Sequence, residues 1–105
     1  MPSHVAVIGR TAYIRDNAGV YKLDLDTKAL SFIEGSQGAL KNRMAVVGNK
    51  VFVPAGKSIL VLENGAVAET IAMDGTVTGV VKSDEAGYLW ISCSASPAQI
   101  IKLAA

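Results

Sequence analysis

A repeat of about 40 residues runs through the 105-residue chain and constrains its fold more than any other feature. The segment AVIGRTAYIRDNAGVYKLDLDTKALSFIEG, which begins at Ala6, aligns with AVVGNKVFVPAGKSILVLENGAVAETIAMDG, which begins at Ala45. Tyr13 aligns with Phe52, and in both pairs the two residues are 39 positions apart. A weaker third copy places Trp90 at the position of Phe52, with the spacing shortened by one. Because fixed periods of this length are typical of solenoids and propellers, the repeat predicts nearly three structural units.

Each unit contains short runs of β-favouring residues that are separated by turn residues. Asn64-Gly65, for example, supplies the two residues that tolerate positive φ in a tight hairpin turn. No helical periodicity is long enough to compete with this pattern. The predicted strands span residues 4–9, 11–15, 19–24 and 29–34, then 44–48, 50–53, 58–63 and 66–73, then 77–82, 88–92 and 99–103.

Four-stranded antiparallel units with this spacing are typical of β-propeller blades. The first strands of two units, VAVI and AVV, are apolar on both faces, as expected of a strand in a sheet stacked between two neighbours. We therefore predict an all-β fold in which residues 1–105 form one propeller segment of about 2.75 blades at four strands to a blade. The blades comprise residues 4–34, 44–73 and 77–105, the last without its outermost strand. An open fragment of a larger propeller, of about six to eight blades, is the alternative.

The order of motifs within each unit resembles a known family. Ala-Val-x-Gly is followed by an aromatic-centred strand, TAYIRD or KVFVPA, and then by VYKLDLDTK or ILVLENG. This order is similar to the repeats of the YVTN-type, surface-layer-like propellers, which include bacterial cell-surface proteins of unknown function. The resemblance covers nearly the whole chain and implies an exported or cell-surface propeller. It implies no particular activity, because propellers support many unrelated functions.

A segment of fewer than three complete blades does not close a ring. Its two ends would expose apolar sheet faces, which a soluble monomer does not tolerate. We therefore predict a homodimer in which two chains, with three blades each, complete a six-bladed ring within the natural range of about 4 to 8 blades. The alternative is a truncated or engineered propeller segment with no separate function.

Composition excludes several classes of function. Ten Lys and Arg side chains stand against nine Asp and Glu and are scattered along the chain, which argues against a nucleic-acid partner. No apolar run approaches the length of a membrane span, and the first four residues do not resemble a secretory signal. With one cysteine and one histidine, we expect no internal disulfide, no metal site and no cofactor.

The stretch VFVPAGKS ends like a phosphate-binding loop, in Gly56-Lys57-Ser58. Such a loop needs a glycine at its first position, where this chain has Val51, and a helix after its last. The residues that follow, ILVLENG, form a β-run instead. We interpret residues 54–57 as a connection between the second and third strands of a blade.

Few side chains suggest catalysis. His4 begins the first inner strand, where it could line the channel, but a structural role is favoured because no acidic partner lies nearby in sequence. Cys93 is expected to be a small buried residue, and Trp90 to belong to a blade core. Asp24 and Asp26 resemble acidic metal or glycosidase pairs, but their Asp-x-Thr context is ordinary turn chemistry.

The polar loop at residues 35–43 joins two blades and is longer than its counterpart at 74–76. In a propeller this loop shares one face with the turns between second and third strands. We expect a binding rim there, for a protein or a carbohydrate, with a merely solvated rim as the alternative. A non-enzymatic scaffold is thus the predicted function, and a propeller hydrolase or lyase is its rival. The candidate rim residues are Arg15, Asp16, Asn17, Lys41, Arg43 and Lys57.

Overall fold

The computed structural model describes residues 4–37, 43–94 and 99–105, and β-strands dominate all three segments. All eleven predicted strands are present, and their ends lie at or close to the expected positions. The strands are β1 His4–Ile8, β2 Thr11–Arg15, β3 Val20–Asp24, β4 Leu30–Phe32, β5 Ala45–Val47, β6 Lys50–Ala55, β7 Ser58–Glu63, β8 Ala66–Ala72, β9 Thr76–Lys82, β10 Tyr88–Ser94 and β11 Gln99–Ala104.

The strands form three antiparallel sheets in which neighbours in sequence are neighbours in space. The orders are β1-β2-β3-β4, β5-β6-β7-β8 and β9-β10-β11. We call these sheets the first, second and third blades. The third blade has three strands in the described residues, as the weaker third repeat predicts. The fold is thus all-β, with sheets arranged as blades of an open propeller segment.

The VFVPAGKS stretch forms part of a hairpin. β6 runs through Pro54 to Ala55, so the predicted end of this strand at residue 53 is too early. Ala55 pairs with Ser58 across the turn and Pro54 pairs with Ile59. Since hydrogen-bonded and non-hydrogen-bonded pairs alternate, the nitrogen of Pro54 points away from β7 and toward the β5 side of the strand. The pairing of β5 with β6 extends only as far as Phe52. A missing N–H costs nothing at that position, which is why proline is compatible with the strand.

The apolar core lies between the blades, in two layers. The second blade lies between the other two. Consecutive side chains of β6 point in opposite directions, so both of its faces are buried. Val51 and Val53 pack toward the first blade, whereas Phe52 packs toward the third. The layer between the first and second blades contains Ala6, Tyr13, Val20, Ile33, Met44, Val51, Val53, Leu60 and Leu62. The layer between the second and third contains Ala45, Val47, Phe52, Ile59, Val61, Val77, Val80, Leu89, Ile91 and Cys93.

A polar contact ties the first blade to the second. The turn Asn64-Gly65 joins β7 to β8 with positive φ at both residues, as the Asn-Gly pair predicts. The Gly65 amide donates a hydrogen bond to the Tyr13 hydroxyl at 3.0 Å, and Lys22 Nζ donates one to the Gly65 carbonyl at 3.1 Å. A side chain at Gly65 would lie 3.0 Å from Lys22, so glycine also permits this close approach.

One face of the first blade remains exposed. Cross-strand partners share a face, and the register Val5–Ile14–Tyr21–Phe32 places these four side chains on the side opposite Tyr13. Val5 and Leu30 are 50% and 60% exposed. We call this surface the first-blade open face. It comprises Val5, Val7, Ile14, Tyr21, Leu30 and Phe32.

The third blade has a matching exposed surface, which corrects one prediction. Trp90 is not part of a blade core, because its side chain is 43% exposed. It pairs with Val81 on one side and Lys102 on the other. Within the described residues, no further sheet covers this side. We call this surface the third-blade open face. It comprises Val81, Tyr88, Trp90, Ile100 and Lys102.

Candidate binding face at the channel mouth

Four segments of the described chain meet at one end of the sheets. They are the start of β1, the β2–β3 turn, the residues just before β5 and the β6–β7 turn. These segments share an end because the first strands of successive blades run in the same direction and each next strand runs back. We call this end the mouth face. It is the end at which the binding rim was predicted.

His4 is the central polar contact of the mouth face. Its Nδ1 accepts a hydrogen bond from the Met44 amide at 2.9 Å, which joins the first blade to the second. The proton of the neutral ring is then on Nε2. Burial, followed by the positive charges of Arg43 and Arg15, lowers the pKa of His4 below its ordinary value. The predicted structural role of His4 is confirmed by this contact.

We expect acid to destabilise the fold through His4. The folded state favours neutral His4, whereas the unfolded chain takes up its proton near the ordinary value of about 6.5. The free energy of unfolding should therefore fall as the pH is lowered from about 7 to about 5, because the unfolded state binds more protons there. Urea unfolding at a series of pH values measures this slope.

His4→Gln provides the control for that prediction. His4 is the only histidine in the chain, and the glutamine carbonyl can still accept the Met44 amide. At about pH 7 the variant should have a free energy of unfolding similar to that of the unaltered chain. Above about pH 5, where Asp and Glu are still largely ionised, its free energy of unfolding should change much less with pH. An equal slope in both proteins would contradict the assignment.

Arg15 is placed differently from a rim residue. Its side chain is 0% exposed, although the prediction grouped it with exposed rim residues. It follows Tyr13 by two positions in β2, so both side chains point toward the second blade. Burial lowers the pKa of Arg15, but the ordinary value of an arginine is so high that the group stays charged at neutral pH. Arg15 thus contributes positive charge from behind the surface.

Asp16 and Asn17 lie in the β2–β3 turn. Asp16 Oδ1 accepts hydrogen bonds from the amides of Ala18 at 2.8 Å and Gly19 at 3.3 Å. Asp16 therefore stabilises its own turn, as short acidic side chains commonly do. Asn17 is exposed beside it. Of these two predicted residues, Asp16 uses one carboxylate oxygen for its own turn, and Asn17 makes the more exposed contribution to the mouth face.

Lys57 and Arg43 are the exposed cations of the mouth face in the described part of the chain. The turn that carries Lys57 is fixed, because the Gly56 carbonyl accepts the Val77 amide and the Lys57 carbonyl accepts the Met73 amide, each at 2.8 Å. Arg43 borders an open cavity of about 270 Å³ that β9 lines on its other side. The sixth predicted residue, Lys41, lies outside the described residues.

The β9 wall of this cavity was not predicted from the sequence. It consists of Thr78, Gly79, Val80 and Val81. Thr78 Oγ1 lies 2.8 Å from Ser92 Oγ, so the hydroxyl group at the cavity wall is bonded to the neighbouring strand. The alternation of threonine with small and apolar residues in β9 is the one sequence signal that could have indicated it, and such alternation is common in strands.

A larger cavity lies at the opposite end and was not predicted either. It has a volume of about 440 Å³ and occupies the gap between turns of the second and third blades. Lys50, Glu63 and Lys82 border it, together with glycine and small apolar residues. Its size comes from the separation of neighbouring turns, and no motif in the sequence reports such a gap.

The Asp24 and Asp26 pair forms a turn, as interpreted from the sequence. Asp24 Oδ1 accepts the amides of Asp26 at 2.8 Å and Thr27 at 3.0 Å. The backbone hydrogen bonds from Thr27 and Asp26 lower the pKa of Asp24. Asp26 forms an exposed ion pair with Arg10 at 2.7 Å. Within residues 4–37, 43–94 and 99–105, no three His, Cys, Asp or Glu side chains are grouped as a metal site would require.

Cys93 is buried in the layer between the second and third blades, at 3% exposure, as predicted for a small apolar side chain. The described part of the chain contains no helix of the length and apolarity that a membrane span needs.

Comparison with solved structures supports the fold. Hydrazine synthase from Kuenenia stuttgartiensis is similar over 98% of this chain, with a TM-score of 0.70 and 17% sequence identity. This chain spans only 34% of the hydrazine synthase chain, so it matches about a third of that protein's length. At this identity the likeness concerns the fold alone.

Comparison by sequence assigns a family. None of the curated proteins is significantly similar to this chain. The family profile that matches is the one described as Domain of unknown function (DUF5074), and it covers residues 1–105. The YVTN-type resemblance is not confirmed by this match. Since the profile covers every residue, the chain belongs to the DUF5074 family.

Proposed function

We propose that this chain is a non-enzymatic β-propeller scaffold that binds a partner protein or a carbohydrate at its mouth face, within a ring completed by self-association. The observation that supports this most is the position of two cations beside His4: Arg15 is its cross-strand partner, and Arg43 precedes Met44, whose amide bonds it. A positive potential at a channel mouth attracts anionic groups and orients them. An acidic glycan or an acidic protein surface is therefore the favoured ligand.

The exposed cations supply the contacts in this proposal. Arg43 and Lys57 are accessible from the mouth face, and Arg15 adds its charge from a buried position. A guanidinium group recognises a carboxylate or sulfate through two parallel hydrogen bonds, so Arg43 is expected to be the main contact. Thr78, whose hydroxyl bonds Ser92, lines the cavity together with Arg43 and offers a neutral hydrogen bond to a sugar hydroxyl.

A binding role is favoured over catalysis because of the residues at which the inner strands begin. They begin at His4, Ala45 and Thr76, and the Nδ1 atom of His4 is already bonded to the Met44 amide. A general base needs a free acceptor within reach of its substrate.

A relation to the YVTN-type propellers belongs to the same proposal, because each repeat keeps an aromatic residue in its second strand. This relation would bring with it a cell-surface location.

Ligand capture on an array of neutral, sulfated and uronic-acid glycans, together with acidic and basic peptides, tests the proposal. We expect acidic probes to be captured, and we expect more salt to weaken the capture. The double variant Arg43→Ala, Lys57→Ala should lower the affinity at least about tenfold, since that ratio corresponds to one modest charged contact.

The matched control is the double variant Arg10→Ala, Lys82→Ala. It removes the same charge from exposed positions at the opposite end of the sheets. Its affinity should equal that of the unaltered chain. Failure to capture any acidic probe, or equal losses in both double variants, would contradict binding at the mouth face.

A further inference from the structure

The two open faces carry the residues that form the two interfaces inside the chain. In each internal interface, one aromatic residue of a second strand packs against the next blade: Tyr13 in the first and Phe52 in the second, at 3% and 2% exposure. Trp90 occupies the same place in the third blade and is 43% exposed. The third-blade open face therefore has the composition of an interface without its covering blade.

The first-blade open face matches the surface that covers Tyr13. Tyr13 is packed against the side of the second blade that carries Val53 and Leu60. In the repeat alignment that pairs Ala6 with Ala45, the first blade has Ile14 and Tyr21 in these places. Both belong to the first-blade open face. The two open faces are therefore the two halves of one blade-to-blade interface.

The positions of two lysines support the same pairing of the third-blade open face with the first-blade open face. Tyr13 and Lys22 are direct cross-strand partners, and Lys22 bonds the turn of the next blade at the Gly65 carbonyl. Trp90 and Lys102 are cross-strand partners in the same way, so Lys102 takes the place of Lys22 in the third blade.

A blade that covered Trp90 would present its own turn to Lys102. In the first blade that turn joins β3 to β4 and carries the carboxylates of Asp24 and Asp26. Lys102 now bonds Glu85 of its own chain at 2.8 Å, and both side chains are partly exposed. Asp26 pairs with Arg10 in its own chain, so Asp24 is the carboxylate that would face Lys102, and a contact between opposite charges favours an interface.

We propose that the third-blade open face of one copy of this chain packs on the first-blade open face of a second copy, and that the same contact in the opposite direction closes a six-bladed ring. The proposal rests on the proposed scaffold function, in which self-association completes the ring, and it names the two surfaces that make this contact. The contact is head-to-tail, and a twofold axis makes its two occurrences identical. Trp90 would then be buried by Ile14 and Tyr21 of the second copy.

Sedimentation equilibrium at micromolar concentration tests the ring. The expected mass is twice the 10.9 kDa of one chain. Trp90→Lys, on the third-blade open face, and Val7→Lys, on the first-blade open face, should each raise the dissociation constant at least about 30-fold, as truncation of a central interface residue does. Thr70→Lys is the control, because Thr70 is exposed on β8 outside both open faces.

Mixing the two variants separates this geometry from other dimers. In a mixed pair, the altered third blade of one chain meets the altered first blade of the other, and the second contact is intact. The mixture should therefore recover dimers that neither variant forms alone. Far-UV circular dichroism of each variant checks that its strands are formed.

Three outcomes would overturn the ring: a mass of 10.9 kDa for the unaltered chain, a mass of three or more chains, or no recovery in the mixture. If Trp90→Lys dissociates the dimer and Val7→Lys does not, the contact joins two third-blade open faces instead. Capture of acidic probes by a monomeric chain would overturn the ring and leave the proposed binding role standing.

Discussion

Replacing Phe52 with alanine is expected to lower the free energy of unfolding by about 3–5 kcal/mol. Phe52 is 2% exposed and lies in the layer between the second and third blades, where Leu89 and Ile91 belong to the same cluster. Removal of the ring leaves a cavity between two sheets whose backbones are fixed by their own hydrogen bonds. The layer can relax little, so both the transfer and the cavity contributions are lost.

Equilibrium unfolding in urea, followed by tryptophan fluorescence and circular dichroism, measures this loss. Thr70→Ala is the control, because Thr70 is exposed on β8 and the change should stay within about 0.5 kcal/mol. Phe52→Leu should be intermediate, since leucine fills part of the volume. A loss below about 1 kcal/mol for Phe52→Ala would contradict the tight packing of this layer.

The second large effect is expected for Gly19→Ala, at about 2–6 kcal/mol, the sum of a strained backbone and an overpacked site. Gly19 has φ +153° and ends the β2–β3 turn. A Cβ there would lie 2.6 Å from the Ser36 carbonyl oxygen and 2.8 Å from the Phe32 ring. The carbonyl cannot move away freely, because Ser36 is buried and its hydroxyl bonds the backbone of Val20.

Gly56→Ala is the matched control for Gly19→Ala. Gly56 occupies the corresponding turn of the second blade with φ +66°, and a Cβ there would have no atom within 4 Å. Only backbone strain remains, at about 1–2 kcal/mol. Thermal and urea unfolding of the two variants compare the effects directly. Equal losses would show that conformational strain, and not the contact with Ser36 and Phe32, determines the need for glycine at residue 19.

Local sequence was sufficient to predict the strands. Their order follows from β-favouring runs between turn residues, and turns such as Asn64-Gly65 have the expected backbone conformation. The end of β6 was placed too early because proline usually ends a strand. Its compatibility here depends on how far β5 extends beside Pro54, and that is a property of strand pairing.

The candidate site was only partly predictable. Arg43 and Lys57 are exposed as expected, whereas Arg15 is buried beside the second blade. A signal for this was present, because Arg15 follows Tyr13 by two positions and must share its side of the sheet. The threonine and glycine of β9 that border the Arg43 cavity belong to the next repeat unit, so only the stacking of blades brings them there.

The amino-acid sequence by itself determined the repeat and, within the described residues, the eleven strands and their grouping into two four-stranded blades and one three-stranded blade. These features depend on local periodicity and turn chemistry. The tertiary structure decided which faces are covered. Tyr13 and Phe52 are buried and Trp90 is exposed, although the three hold equivalent places in the repeat. The physical reason is that burial depends on the neighbouring blade, and the described residues of a single chain provide no neighbour on the outer side of the third blade.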